Sequence, residues 1–237
     1  KPKDKIIFSG RFKNGISAKS NTVAKVLKFF RQNNMLKNKI FRIKIKKNIP
    51  HGSGLGGGSS DAASLINFFN SKMNLKLNNR KIYKLANLVG SDVSCNLVKK
   101  NLYLTGKKMK ILKLNNKFNI LIVFPNIWCS TRKIYLKNRN FSSLNSVSSN
   151  IFNNKRRLIR FLQNEHNDLE KIVVAMFPII GKIIRTMSIQ KGCYFSRLTG
   201  SGSACIGLFS NNKTVSLAKK NIKRKFPNHW CMISKTI

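Results

Sequence analysis

The sequence predicts an α+β fold of two layers, and three features carry that prediction. Short apolar runs with strand character are interspersed with longer runs whose apolar residues recur at helical spacing. A glycine-rich stretch, residues 50–63, joins one such strand to one such helix. Residues 138–154, rich in Asn and Ser and without periodicity, separate residues 1–137 from residues 155–237 and are expected to be a domain boundary, linker or disordered loop. With 237 residues, 42% hydrophobic and 22% charged, the chain can bury a real core in one large domain or two small ones.

In chain order, residues 5–8 read as a short strand, and Gly10 and Gly15 mark turns. Over residues 20–32, Val23, Val26, Leu27 and Phe30 recur at helical spacing behind a Ser-Asn cap. Residues 41–46 alternate, with Phe41, Ile43 and Ile45 on one face and basic residues on the other, as in a half-buried strand. After the glycine stretch, residues 61–72 open on an acid and two alanines and turn apolar, a helix start. Asn78 or Asn79 caps a further helix through Val89, with Gly90 as its stop. Strands are expected at residues 102–105, 108–114 and 118–124. Helices follow at residues 155–163 and 169–187, the second divided by Pro178. The end reads as strand 194–198, glycine turn 200–203, strand 204–209, helix 213–225 and strand 230–234.

The charge balance is unusual: 47 Lys plus Arg against 6 Asp plus Glu, a formal +41. Such a chain attracts polyanions, so nucleic-acid binding is a rival to carry. The lysines are spread over nearly every segment and asparagine is abundant throughout, which favours a compositional drift over a nucleic-acid stripe. Five cysteines (Cys95, Cys129, Cys193, Cys205, Cys231) with no C-x-x-C spacing indicate neither a disulfide framework nor a zinc site, and fit a reducing compartment. No apolar run, residues 120–125 among them, is long enough to span a membrane. The chain opens at Lys1 without an apolar signal region, and is expected to be a fragment that has lost its start.

Five of the fourteen residues in the stretch 50–63 are glycine. A strand, a glycine loop and a helix start together present unpaired backbone N–H groups and the positive end of a helix dipole to an anion. Glycine lets a polyphosphate approach the backbone and lets the loop visit positive φ. The P-loop pattern fits Gly52 and Gly57, but Gly58 stands where its lysine must be. The dinucleotide pattern is met by Gly52, Gly54 and Gly57, yet no acid occurs between Asp61 and Asp92 to hold a ribose.

With so few acids, their positions are informative. Asp92, just after Gly90, can orient or deprotonate an attacking hydroxyl, or can simply cap a short helix. Asp61 is favoured by the helix dipole alone and reads as structural. Ser59 and Ser60 can offer hydroxyls to phosphate or magnesium, or serve as caps. Residues 199–204 read on their own as a hairpin turn. Residues 165–170 need no more than an N-cap by Asn167 or Asp168. His51 reads as solvent-facing, His166 and His229 lack ligand-spaced partners, and Trp128 and Trp230 read as packing residues.

A third loop grammar, P-x-x-x-G-L-G-G-G-S-S-D-A-A, is met at every position of residues 50–63. It resembles the ATP loop of the GHMP kinase superfamily, and its triple-glycine form is similar to the branch acting on 4-diphosphocytidyl-2-C-methyl-D-erythritol in non-mevalonate isoprenoid synthesis. Gly90-Ser91-Asp92-Val93 and Thr199-Gly200-Ser201-Gly202-Ser203-Ala204 resemble two further motifs of that family in the right order. The resemblance implies a two-subdomain GHMP kinase fold, ribosomal S5 domain 2-like and then ferredoxin-like, with the active site between. It implies ATP on Pro50, His51, Gly52, Ser53, Gly54, Leu55, Gly56, Gly57, Gly58, Ser59 and Ser60, with Mg2+ near Ser59 or Ser60 and no fixed protein metal site. It makes Asp92 the catalytic base, and brings Gly200, Ser201, Gly202 and Ser203 to the substrate's phosphates. Ser94 stands where the family commonly has proline, which puts the rigidity of that loop in question.

The family's first motif, P-[AS]-K-I-N-L, has no match here and is expected before Lys1 along with most of the cytosine-binding groups; the chain without it is expected to lose activity. The implied setting is a bacterial cytoplasm or a plastid, with a small-molecule substrate, no membrane or specific nucleic-acid partner, and a monomer or homodimer. Two alternatives stand beside it: a GHMP kinase of the homoserine or mevalonate type, and a basic RNA-binding module.

Overall fold

The computed structural model describes residues 3–106, 108–112, 114, 117–139, 141, 142, 147 and 149–237. Strand β1 (Lys5–Ser9) pairs in parallel with β2 (Arg42–Lys46), Ile6 opposite Ile43 and Phe8 opposite Ile45. Parallel neighbours need a crossover, and helix α1 (Thr22–Gln32) supplies it. Its cap is Asn21, whose side chain accepts from the Ala24 N–H, and it buries the four residues that the spacing singled out, Val23, Val26, Leu27 and Phe30. Helices α2 (Gly57–Lys72), α3 (Asn79–Val89) and α4 (Ser91–Cys95) complete this part. Phe69 of α2 packs at 5.0 Å from both Phe30 and Phe41, in a core shared with Ile66, Leu85 and Val93. Asp4 ties the start of β1 down: Arg31 donates to both its carboxylate oxygens at 2.7 Å and the Phe41 N–H adds a third bond. These bonds, the Arg31 pair first, hold the Asp4 carboxyl below its ordinary range.

The second part starts with the hairpin β3 (Asn101–Thr105) and β4 (Lys108–Leu112). Then come β5 (Asn119–Phe124), α5 (Thr131–Lys137), a 3-10 turn at Ser149–Ile151, α6 (Lys155–Asn164), α7 (Glu170–Met176) and α8 (Pro178–Ser188). Strands β6 (Cys193–Leu198) and β7 (Cys205–Phe209), helix α9 (Asn212–Lys225) and β8 (Trp230–Lys235) end the chain. The sheet order is β6-β7-β5-β8, all neighbours antiparallel. With α8 and α9 this is a β-α-β-β-α-β run, the ferredoxin-like layout expected of the C-terminal part. Leu121 and Val123 of β5 face the core made with α8 and α9 (Ile180, Ile183, Val215, Ile222), while Ile120 meets Phe118, Phe152 and Leu158. Both faces are covered, which is why this strand is a continuous apolar run.

Grouped by compactness, one unit comprises the chain up to His51 with Gly56–Lys99, and the other Gly52–Leu55 with Lys100–Ile237. The change of unit at Lys99–Lys100 is a different line from the 138–154 boundary expected from composition. The reason is pairing: β5, in residues 1–137, hydrogen-bonds with β7 and β8. Residues 140, 143–146 and 148 of that boundary stretch lie outside the described residues, and Phe152 within it is a buried core residue rather than part of a disordered loop. Helix α5 was not foreseen, and α2 starts at Gly57 instead of Asp61. Among the described residues no helix is long and apolar enough to cross a membrane.

Candidate active site

Gly56 caps α2 in the left-handed region, φ 67° and ψ 14°, where glycine alone is unstrained. The first turn is therefore Gly57, Gly58, Ser59 and Ser60, and no side chain caps it. The opening N–H groups of a helix have no intrahelical acceptor, so this turn offers donors and the positive dipole end to an anion. Neither serine is a cap, since both lie inside the helix. Thr22 Oγ1 donates to the Gly58 carbonyl at 2.7 Å and steadies the turn from α1. Beneath it, Lys47 Nζ donates to Asp61 Oδ2 at 2.7 Å. His51 is half-buried, its Nε2 bonded to the Asn14 carbonyl at 2.8 Å.

Asp92 lies in the first turn of α4, exposed, and makes no cap bond of its own. Its carboxylate accepts only a long 3.4 Å bond from the Ser91 hydroxyl among those seen for it. Asn96 Nδ2 donates to the Asp92 carbonyl at 2.7 Å and lies 4.0 Å from where a Cβ on Gly56 would stand. Through Asn96, helix α4 sets the Asp92 main chain near the glycine cap of α2, within one compact unit.

In the other unit, residues 52–55 lie against the 199–204 turn. The Ala204 N–H donates to the Ser53 carbonyl at 3.0 Å, and a Cβ on Gly54 would sit 2.3 Å from the Thr199 carbonyl oxygen. The Trp128 ring lies against Gly52 yet is 56% exposed, where the sequence reading makes it a packing residue. Ser201 and Ser203 are buried: the Ser201 hydroxyl bonds Thr131 Oγ1 at 2.9 Å and Ser203 donates to the Ile127 carbonyl. Both hydroxyls are engaged inside the unit, leaving Gly200 as the exposed member of the turn. An open hollow of about 390 Å³ runs beside it, lined in part by Tyr135, Phe141, His166, Arg197 and Thr199.

A sequence model described as GHMP kinases N terminal domain matches residues 21–99, and one described as GHMP kinases C terminal matches residues 149–228. A 4-diphosphocytidyl-2-C-methyl-D-erythritol kinase of Pelagibacter ubique is 40% identical over 237 residues, covering 98% of this chain and 82% of that protein. The chain belongs to the 4-diphosphocytidyl-2-C-methyl-D-erythritol kinase family. The protein of that name from Caldanaerobacter subterraneus is 31% identical, with 98% of this chain and 81% of that protein covered. A solved 4-(cytidine 5'-diphospho)-2C-methyl-D-erythritol kinase superposes with a TM-score of 0.72 at 22% identity, over 98% of this chain and 82% of that one. A homoserine kinase from Cytophaga hutchinsonii reaches 0.71 at 12% identity, with 98% and 81% covered. The fold is therefore that of GHMP kinases at large, and the closer sequence likeness is what places the chain within its own family.

Reading this kinase family's motifs along the chain missed two residues that hold the 199–204 turn. Asn167 Nδ2 donates to the Leu198 and Gly200 carbonyls at 3.1 and 2.8 Å, while its Oδ1 accepts from the Leu169 N–H at 3.0 Å. Glu170 Oε2 accepts the Leu198 N–H at 2.7 Å. The sequence offers Asn167 or Asp168 as an N-cap; the cap position of α7 is Leu169, and the Asn167 amide also ties that start to a turn about thirty residues on. Nothing in its local sequence signals that. Nor was the burial of Lys47 legible, since alternation puts it only at a strand end.

Proposed function

We propose that this kinase transfers the γ-phosphate of ATP to the 2-hydroxyl of 4-diphosphocytidyl-2-C-methyl-D-erythritol, the substrate its relatives' names carry. The observation that carries the reading is the uncapped glycine turn of α2 with the exposed Asp92 carboxylate on the neighbouring α4. In this assignment residues 50–60 take the triphosphate through backbone N–H groups, and the α2 dipole favours its charge. Asp92 accepts the hydroxyl proton as the new phosphorus–oxygen bond forms and the bond from the γ-phosphorus to the β,γ-bridging oxygen breaks to release ADP, a role of typically 10²–10⁴-fold. Gly200, Ser201, Gly202 and Ser203 form the turn assigned to the substrate's phosphates. With its serine hydroxyls engaged within the fold, it works through backbone at Gly200.

Magnesium suits the residues present: it is held mainly by substrate phosphates with one or two hard oxygen ligands, and Ser59 and Ser60 offer hydroxyls on the same turn. When bound it neutralises charge on the phosphates. We place the enzyme in a bacterial cytoplasm as a monomer or homodimer acting on a small molecule. The spread of its lysines argues for no specific nucleic-acid partner.

The test is transfer from γ-labelled ATP to a panel of alcohols by the full-length enzyme. The diphosphocytidyl substrate should be labelled and homoserine and mevalonate should not; the reverse order sinks the substrate assignment. Asp92→Asn should lower turnover by about 10²–10⁴-fold, and turnover within about threefold of wild type removes Asp92 from the reaction.

A further inference from the structure

Lys47 has no role in the assignment above, yet its side chain is 6% exposed, a rare state for a lysine. It directly follows β2, and its ammonium donates to Asp61 Oδ2 at 2.7 Å. The same nitrogen lies 3.8 Å from the point where a Cβ on Gly57 would stand. A held positive charge therefore sits against the first turn of α2, the turn that no side chain caps. An ammonium carries three N–H donors, and Asp61 takes one.

Stability is a weak reason for this arrangement, because a buried ion pair is often no better than apolar residues of the same volume. An anion on the turn supplies a stronger one. An ammonium beside Gly57, offset in part by Asp61, adds to the dipole where negative charge would sit, and its burial reduces screening by salt. Asp61 then keeps the ammonium in place when no anion is bound.

We propose that Lys47 is a positioning residue of the triphosphate loop, with Asp61 as its holder: the pair fixes the turn at Gly57 and supplies positive potential to the nucleotide's phosphates. This rests on the reading of residues 50–60 as a triphosphate loop.

The experiment uses the full-length enzyme with Lys47→Met, Asp61→Asn and the double variant, reading the unfolding temperature and the KM for ATP side by side. Asp61→Asn leaves the buried Lys47 ammonium uncompensated and should lower the unfolding temperature, while the double variant should recover most of that loss. The ATP KM should part company from stability. It should rise on the order of tenfold in Lys47→Met and stay raised in the double variant, while Asp61→Asn, which keeps the cation, should not raise it. Lys47→Arg should keep the wild-type KM. A double variant with wild-type KM overturns the proposal. Should that variant not fold, an equal KM rise in Asp61→Asn and Lys47→Met overturns it just as well. A wild-type enzyme that neither binds ATP nor transfers its phosphate overturns the triphosphate-loop reading itself, which this control distinguishes from a failure at Lys47 alone.

Discussion

Gly54→Ala tests how tightly the loop is seated on the 199–204 turn. Two costs add at this position. Its φ is +77°, in the left-handed region, where a Cβ costs about 1–2 kcal/mol. The new Cβ would also lie 2.3 Å from the Thr199 carbonyl oxygen and 3.2 Å from both the nitrogen and the oxygen of Gly202. These are backbone atoms, which cannot swing aside as a side-chain tip does, so overpacking adds about 1–3 kcal/mol. The sum is about 2–5 kcal/mol. Gly56→Ala is the matched control: φ is +67°, but the nearest atom, Asn96 Nδ2, is 4.0 Å away, so only the first cost of about 1–2 kcal/mol applies. Urea unfolding of wild type and both variants reads the difference directly. If Gly54→Ala is no more destabilising than Gly56→Ala, the seating of residues 52–55 on the turn is wrong.

Asn167→Ala removes the side chain from three hydrogen bonds at once and should cost about 1.5–4.5 kcal/mol in urea unfolding; a loss under about 0.5 kcal/mol would mean that water replaces the amide at no penalty. His229 stacks on Phe226 at 5.2 Å with both ring nitrogens buried and unpartnered, and burial, then Lys223, holds its pKa below the ordinary 6.5. The unfolded chain takes up this proton first as pH falls, so the stability linked to it is present above 6.5 and is lost as pH drops below that value. His229→Phe should flatten the fall in unfolding temperature between neutral pH and about pH 5, and an unchanged slope would refute the assignment.

Much of the architecture was legible because its signals are local. Asn21, Asn78, Asn154 and Asn211 each accept the N–H three residues on, so four helices announce their own starts. Pro178 opens α8 and separates it from α7, as a residue that cannot continue a helix must. The start of α2 was read four residues late because a glycine cap and two glycines in a first turn carry no helix propensity. The turn forms there because Gly56 adopts positive φ and Thr22 and Lys47 brace it from elsewhere in the fold. The partition of the chain was set by the pairing of β5 with β7 and β8, some eighty to over a hundred residues away.

The sequence by itself determined the kind of chemistry on offer: a glycine turn built to meet phosphates, one carboxylate after Gly90 and a second glycine turn, each defined by residues adjacent in the chain. Only the tertiary structure decided what stands behind them. It buried Lys47 against the first turn of α2, set Asn167 and Glu170 under the 199–204 turn, and turned the hydroxyls of Ser201 and Ser203 inward. The reason is physical. Propensity, caps and turn chemistry act within a few residues, whereas a buried charge or amide finds its partner through packing between segments that the chain order leaves far apart.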